Sequence, residues 1–267
     1  MSMGWSEGDP ARVLVTGCSS GIGRALCTAL HERGHHVVAT ARNVATLAGL
    51  PVESRLELDV TDARSVAAAA EAAGPVDVLI SNAGISAWAP LEAMPIDIAQ
   101  RVFETNVWGM LRVAQALLPA MRANRRGRVI TVSSAALRGH PLLGLYVASK
   151  TALEALSESL RLELALFGID VVLAEPAAVV SSFGSNRTPV EVEDADYADF
   201  TERAYRLIQG MRVDALTSEQ AAEAIADLVG RDDPPLRVPI GADATRLVAE
   251  RHTVEDEEFA RSVLDRL

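Results

Sequence analysis

Lysine is almost absent from this chain of 267 residues: among its 25 Lys+Arg residues only Lys150 is lysine. Positive charge as a whole is short, with 36 Asp+Glu giving a formal net charge of -11. Nucleic acid is held mainly by cations that neutralise phosphates, so this balance excludes a general nucleic-acid binder. The only cysteines are Cys18 and Cys27, too few and too close for a disulfide framework or a zinc site, and no metal is expected. No apolar run approaches the roughly 18 residues that span a bilayer, so no membrane span is expected. The start, Met1 to Pro10, is polar and lacks the apolar stretch of a secretion signal. Residues 1–10 are therefore expected to form a flexible segment and the protein to be cytoplasmic. With 49% hydrophobic residues, the rest has ample material for a buried core.

Short aliphatic runs alternate with longer helical patterns along the chain. Strands are expected at 12–16, 36–40, 56–59, 77–81, 128–132, 169–174 and 236–240. Helices are expected at 24–33 and 63–73, as one long element over 98–121, and over 151–167, where Leu153, Leu156, Leu160 and Leu164 recur at 3–4 spacing. Strands alternating with helices of this length imply βαβ units and right-handed crossovers. The expected fold class is α/β: one doubly wound domain over 11–267, with a mostly parallel seven-stranded sheet covered on both faces. Residues 190–200 turn acidic, with Tyr197 and Phe200 interleaved. A long insertion of this kind is often functional, and 182–215 is the expected substrate lid, the alternative being a solvated surface segment.

Thr16-Gly-Cys-Ser-Ser-Gly-Ile-Gly23 falls where the first strand ends and a helix begins. Gly17, Gly21 and Gly23 permit a tight turn, while Ser19, Ser20 and Ile22 carry the backbone N–H groups of a helix start, a ready site for phosphate. Further on come Asn82-Ala83-Gly84 after the fourth strand, Asn106, Ser134 after the fifth, and Tyr146-x-x-Ser-Lys150. Together, in this order and at these strand ends, the motifs resemble the short-chain dehydrogenase/reductase family in its single-domain, Rossmann-type branch. The resemblance runs from about Arg12 to Ala244.

Tyr146 is the candidate acid/base. A free phenol has a pKa near 10, and Lys150, four residues on and on the same helical face, is expected to favour its phenolate. The resemblance implies that Lys150 also bonds the nicotinamide ribose, that Ser134 holds the substrate oxygen, and that the backbone of Asn106 holds a relay water. Counting back from Tyr146 lands on Ser133 instead. The loop 135–145 is then one residue short, and the strand-end position favours Ser134. Asp59 and Val60 resemble the pair that touches the adenine, with a turn or N-cap aspartate as the plainer reading.

Past the second strand stand Ala41 and Arg42, where an acidic residue would repel a 2′-phosphate, so NADP(H) is favoured over NAD(H). After the sixth strand the family carries Pro-Gly and a threonine on the nicotinamide amide. Here the run is Pro176-Ala177-Ala-Val179-Val-Ser181, with Ser181 able to supply the hydroxyl and Ala177 narrowing the backbone angles. Trp88, Leu143 and Phe183, with Leu142, Leu145, Phe200, Tyr205, Ile208 and Met211, are the expected wall for a bulky apolar carbonyl or alcohol. The implied function is an oxidoreductase interconverting a ketone or aldehyde with an alcohol. The alternatives are a non-catalytic NADP(H)-binding sensor or scaffold, and a lyase or epimerase. A homodimer or homotetramer is expected through the helices 98–121 and 151–167, whose leucine stripes fit core burial equally well.

Overall fold

The computed structural model describes residues 9–181, 183, 187–192, 194–210 and 215–267. Most of the expected N-terminal segment, Met211 and parts of the expected lid lie outside them. Seven strands form one sheet: β1 (Arg12–Val15), β2 (His36–Ala41), β3 (Ser54–Glu57), β4 (Val78–Ser81), β5 (Gly127–Val132), β6 (Ile169–Pro176) and, after two further short strands, β9 (Arg237–Ile240). Their order is β3-β2-β1-β4-β5-β6-β9, and every pairing is parallel. The order reverses between β1 and β4, which opens a crevice beyond the carboxyl ends of those strands.

Side chains alternate across the strands and divide the core in two. Val13, Val15, Val37 and Ile80 pack under α1 (Gly21–Glu32) and α7 (Ser218–Gly230). Leu14, Val38, Leu79 and Val129 face α2 (Ala63–Ala73), α4 (Gly109–Asn124) and α5 (Gly144–Leu164). The doubly wound α/β architecture expected from the alternation is the one observed.

Three local features differ from the sequence expectation. The long helix over 98–121 is interrupted: α3 (Ile96–Phe103) passes into a π-helical turn, Glu104–Trp108, before α4. Gly109 allows this, because a Cβ there would lie 2.6 Å from Val60 Cγ2. The third strand ends at Glu57, so Asp59 and Val60 lie in the following turn. A second, two-stranded sheet joins β7 (Val179–Val180) to β8 (Leu216–Thr217), and α6 (Ala198–Gly210) lies between them in sequence. After β9 come α8 (Ala242–Thr253) and α9 (Asp256–Leu264).

Candidate active site

The glycine turn is knitted to the end of β4. Thr16 Oγ1 accepts from the backbone N–H of Asn82 and of Ala83, each at 3.0 Å, and Asn82 Nδ2 donates to the carbonyls of Thr16 (2.9 Å) and Gly17 (3.3 Å). Gly17 and Gly21 have φ of +74° and +55°. A Cβ on Gly23 would stand 2.3 Å from Gly17 O and 2.4 Å from Asn82 Nδ2, so the turn closes only around glycine. Ser20 is the N-cap of α1 but makes no side-chain capping bond, and no acidic residue occupies the first turn. The helix end therefore keeps its positive pole and N–H groups available, a cradle that fits a dinucleotide pyrophosphate. Ser19 is exposed at the rim and Ile22 packs against the core.

Opposite the cradle, Ser181 comes within 3.4 Å of where a Cβ on Gly21 would be, and its Oγ accepts from Phe183 N–H at 3.3 Å. Pro176 ends β6 and its carbonyl accepts from Ala135. Ala177 is not among the residues with positive φ, so the alanine imposes no left-handed strain there. Val179 is taken up by pairing with Leu216. Asp59 Oδ1 accepts from both the N–H and the hydroxyl of Thr61, an Asx turn that uses one carboxylate oxygen locally. Val60 is buried in the core under α4. Arg42 is exposed one residue beyond β2 and, among the described residues, makes no ion pair.

The polar set converges at the start of α5. Ser134 lies beside Tyr146, near enough to act on the phenol, and its Oγ accepts from Ala136 N–H at 3.2 Å, whereas Ser133 Oγ turns away and donates to Glu154 Oε1 at 2.8 Å. Of the two serines left open by the sequence, Ser134 is therefore the one beside the phenol. Lys150 is buried, with Nζ 5.9 Å from the Tyr146 ring centroid and donating to Val132 O at 2.7 Å. Gly84 lies alongside: a Cβ there would be 3.8 Å from Nζ and 3.4 Å from Asn106 Oδ1.

Asn106 sits within the π turn. Its Oδ1 accepts from Ile85 N–H at 2.8 Å, and its Nδ2 donates to Ile85 O and Ser149 Oγ, both at 3.0 Å. π turns recur at functional sites because the extra residue re-aims part of the helix.

The expectation that Lys150 lowers the phenol does not hold in this state. Burial pushes Tyr146 up to about 12, with nearby Ser134 acting downward. Burial also lowers Lys150 to about 8, with the charge of Glu154 acting upward.

Trp88, Leu143, Leu142, Phe200, Tyr205 and Ile208 gather into one apolar cluster under α6. Phe183 stands apart from it, its ring 5.7 Å from that of Tyr146, and Leu145 packs instead with Ala87 and Met94. Leu142 takes φ +65°, a left-handed turn that fits the shortened loop before α5. Two features went unread in the sequence. Helix α9 grips that same loop, with Arg138 reaching Val254 O at 2.6 Å and the ring of His140 5.3 Å from Phe259. Glu154 lies behind Lys150, and its signal was available: it is four residues beyond the lysine on one helical face.

Comparison with known proteins agrees with this geometry. The family model described as short chain dehydrogenase matches residues 11–191. A 3-ketodihydrosphingosine reductase of Bacteroides thetaiotaomicron is 36% identical over 87% of this chain and 88% of its own length. The 17-beta-hydroxysteroid dehydrogenase type 1 of Mus musculus is 38% identical over 86% of this chain and 73% of that protein. A short chain dehydrogenase from Burkholderia cenocepacia, solved in complex with NADP, superposes with a TM-score of 0.78 at 26% identity, covering 97% of this chain and 99% of that one. The chain belongs to the short-chain dehydrogenase/reductase family and is an oxidoreductase of CH–OH/C=O groups.

Proposed function

We propose that the protein is an NADP(H)-dependent oxidoreductase that interconverts a ketone or aldehyde with an alcohol on a bulky apolar molecule. The observation that carries this reading is the convergence of Ser134, Tyr146 and buried Lys150 at the mouth of a glycine cradle. When bound, the nicotinamide supplies or accepts the hydride. The rest falls to this chain. Gly17, Ser19, Ser20, Gly21, Ile22 and Gly23 offer backbone to the pyrophosphate, while Asn82, Ala83 and Gly84 line the path toward Lys150. Asp59 has a second carboxylate oxygen for the adenine side, Val60 packs the floor beneath it, and Pro176, Val179 and Ser181 bound the nicotinamide end.

Ser134 holds the carbonyl oxygen of the substrate. Tyr146 gives that oxygen its proton in reduction and takes it back in oxidation. Lys150 supplies the positive charge that makes the phenolate accessible during that exchange, and Asn106 fixes the turn at Ile85 and, through Ser149, the first turns of α5.

Substrate character follows from the wall. Trp88, Leu143 and Phe183 present apolar surface, and Tyr197 of the long insertion donates to Glu92, in the loop after β4, at 2.6 Å. The relatives named for a sphingoid ketone and a steroid support a lipophilic substrate of that size. Arg42 and Ala41 support NADP(H), as does the NADP complex of the Burkholderia protein.

A panel of lipophilic ketones offered with NADPH and with NADH tests both parts. Arg42→Asp is expected to cost about tenfold or more in NADPH affinity and little with NADH, since a charge-assisted contact is lost and a repulsion gained. Equal use of the two cofactors by the parent protein would contradict the assignment. Trp108 on the π turn, Leu162 on α5 and Leu166 on the 3-10 turn after it are exposed at 45%, 79% and 79%, and we assign them to a homodimer or homotetramer contact. Light scattering should then give a multiple of the chain mass, and a monomer at assay concentration would remove that assignment.

A further inference from the structure

Behind Tyr146 and Lys150 lies a buried charge cluster that the reading above leaves without a role. Tyr146, Lys150 and Glu154 are spaced four apart on α5, so they share the face turned to the sheet. Glu154 is 4% exposed, and Glu175, projecting from β6, is fully buried. The two carboxyl groups share one guanidinium: Arg237 Nη1 donates to Glu154 Oε2 and, at 2.8 Å, to Glu175 Oε1.

Burial and neighbouring Glu154 push the Glu175 carboxyl upward, while Arg237 acts the other way. Glu175 Oε2 has no hydrogen-bond partner among the described residues. Two arginines flank the pair. Arg237 of β9 bonds both Glu154 and Glu175, and also the half-exposed Glu158 of α5, while Arg251 of α8 lies 3.4 Å from each of the buried pair.

Among the described residues, the hydrogen-bond acceptor of Lys150 is a neutral one, Val132 O. Its charge therefore depends on what lies within Coulomb range. Among these groups Glu154 is the anion that opposes the cost of burial. The strand end also ties the two together: Val132 takes the lysine and the adjacent Ser133 takes Glu154.

We propose that Glu154 is a positioning residue for the reaction: its negative charge, buried one helical turn behind Lys150, favours the ammonium form of that lysine and so keeps Tyr146 competent to exchange its proton. This rests on the roles given above to Tyr146 and Lys150, but its test does not require turnover.

Because the chain has a single lysine, growth with lysine labelled at Cε with carbon-13 yields one side-chain resonance that reports the charge of Nζ directly. Removing a nearby negative charge should ease loss of the ammonium proton, so Glu154→Gln is expected to lower the lysine midpoint by about one pH unit, a tenfold change in its ionisation constant. Glu154→Asp should stay close to the parent. Glu175→Gln, a change on β6 rather than on the turn of α5 behind Lys150, should shift the midpoint less than Glu154→Gln does. Arg251→Gln removes a facing cation and should raise it, which keeps the test decisive even if Glu154→Gln fails to fold.

The alkaline limb of kcat for ketone reduction should move with the midpoint while KM stays fixed. An unmoved lysine resonance in Glu154→Gln and Arg251→Gln, or a shift in Glu175→Gln as large as in Glu154→Gln, would overturn the proposal. Lysine shifts as expected in a protein that reduces no ketone would instead count against the proposed function.

Discussion

Tyr146→Phe is expected to reduce ketone turnover by about 10²–10⁴-fold, the usual worth of a positioned general acid, while NADPH still binds. The substitution keeps the ring and its packing against Phe183, at 5.7 Å between centroids, and removes only the hydroxyl beside Ser134. Its cost in stability should be no more than about 1 kcal/mol, the net worth of one hydrogen bond. The two directions of reaction should differ with pH. With the phenol pushed up to about 12 in the free protein, it is protonated at neutral pH, the form that reduction needs. Oxidation needs the phenolate, so its rate should climb with pH while reduction does not gain. Steady-state rates in both directions, with parent and variant, check this. A variant that kept a tenth or more of the parent rate would remove Tyr146 from the acid/base role.

Gly23→Ala is expected to abolish measurable cofactor binding, an effect of about 100-fold or more in Kd, because it strikes the cradle itself. The added methyl would meet Gly17 O at 2.3 Å and Asn82 Nδ2 at 2.4 Å. Gly17 O belongs to backbone, and the Asn82 amide is already committed to Thr16 and Gly17. Neither can yield without opening the join between β1 and β4. Overpacking of this kind typically costs about 1–3 kcal/mol, so Tm should fall as well.

Gly34→Ala serves as the control: Gly34 has φ +81° but nothing within 4 Å of its missing Cβ. That variant should lose stability, by about 1 kcal/mol of left-handed strain, and bind NADPH normally. Titration calorimetry on the two variants separates lost stability from a lost cradle, and parent-like NADPH affinity in Gly23→Ala would contradict the placement.

The layered sheet was legible because its signals are local and repeated: aliphatic runs of strand length, each followed by a helical period and a turn glycine. The glycine turn and the Tyr146–Lys150 spacing were legible for the same reason. The π turn at 104–108 was not, since it is imposed by α4 closing on Val60 through Gly109, a contact between segments far apart in sequence. The sign of the Tyr146 shift was misread because spacing reveals the lysine but not the burial, and burial outweighs the lysine here. Between Ser133 and Ser134 the sequence offers only the strand end and the loop count. The packed structure adds that Ser133 is committed to Glu154 while Ser134 stands beside Tyr146. The hold of α9 on the loop before α5 is likewise tertiary, with Arg138 and Val254 joined across 116 residues.

The central claim is that a hydride passes between the nicotinamide and a substrate carbonyl held at Ser134 and Tyr146. The most direct measurement is mass spectrometry of the alcohol formed from a lipophilic ketone and NADPH carrying deuterium at C4 of the nicotinamide. With each C4 face labelled in turn, one deuterium on the carbinol carbon from one face only, absent with Tyr146→Phe, is the expected result. An alcohol without deuterium from either face, or label transfer unaffected by loss of the phenol, would contradict the account.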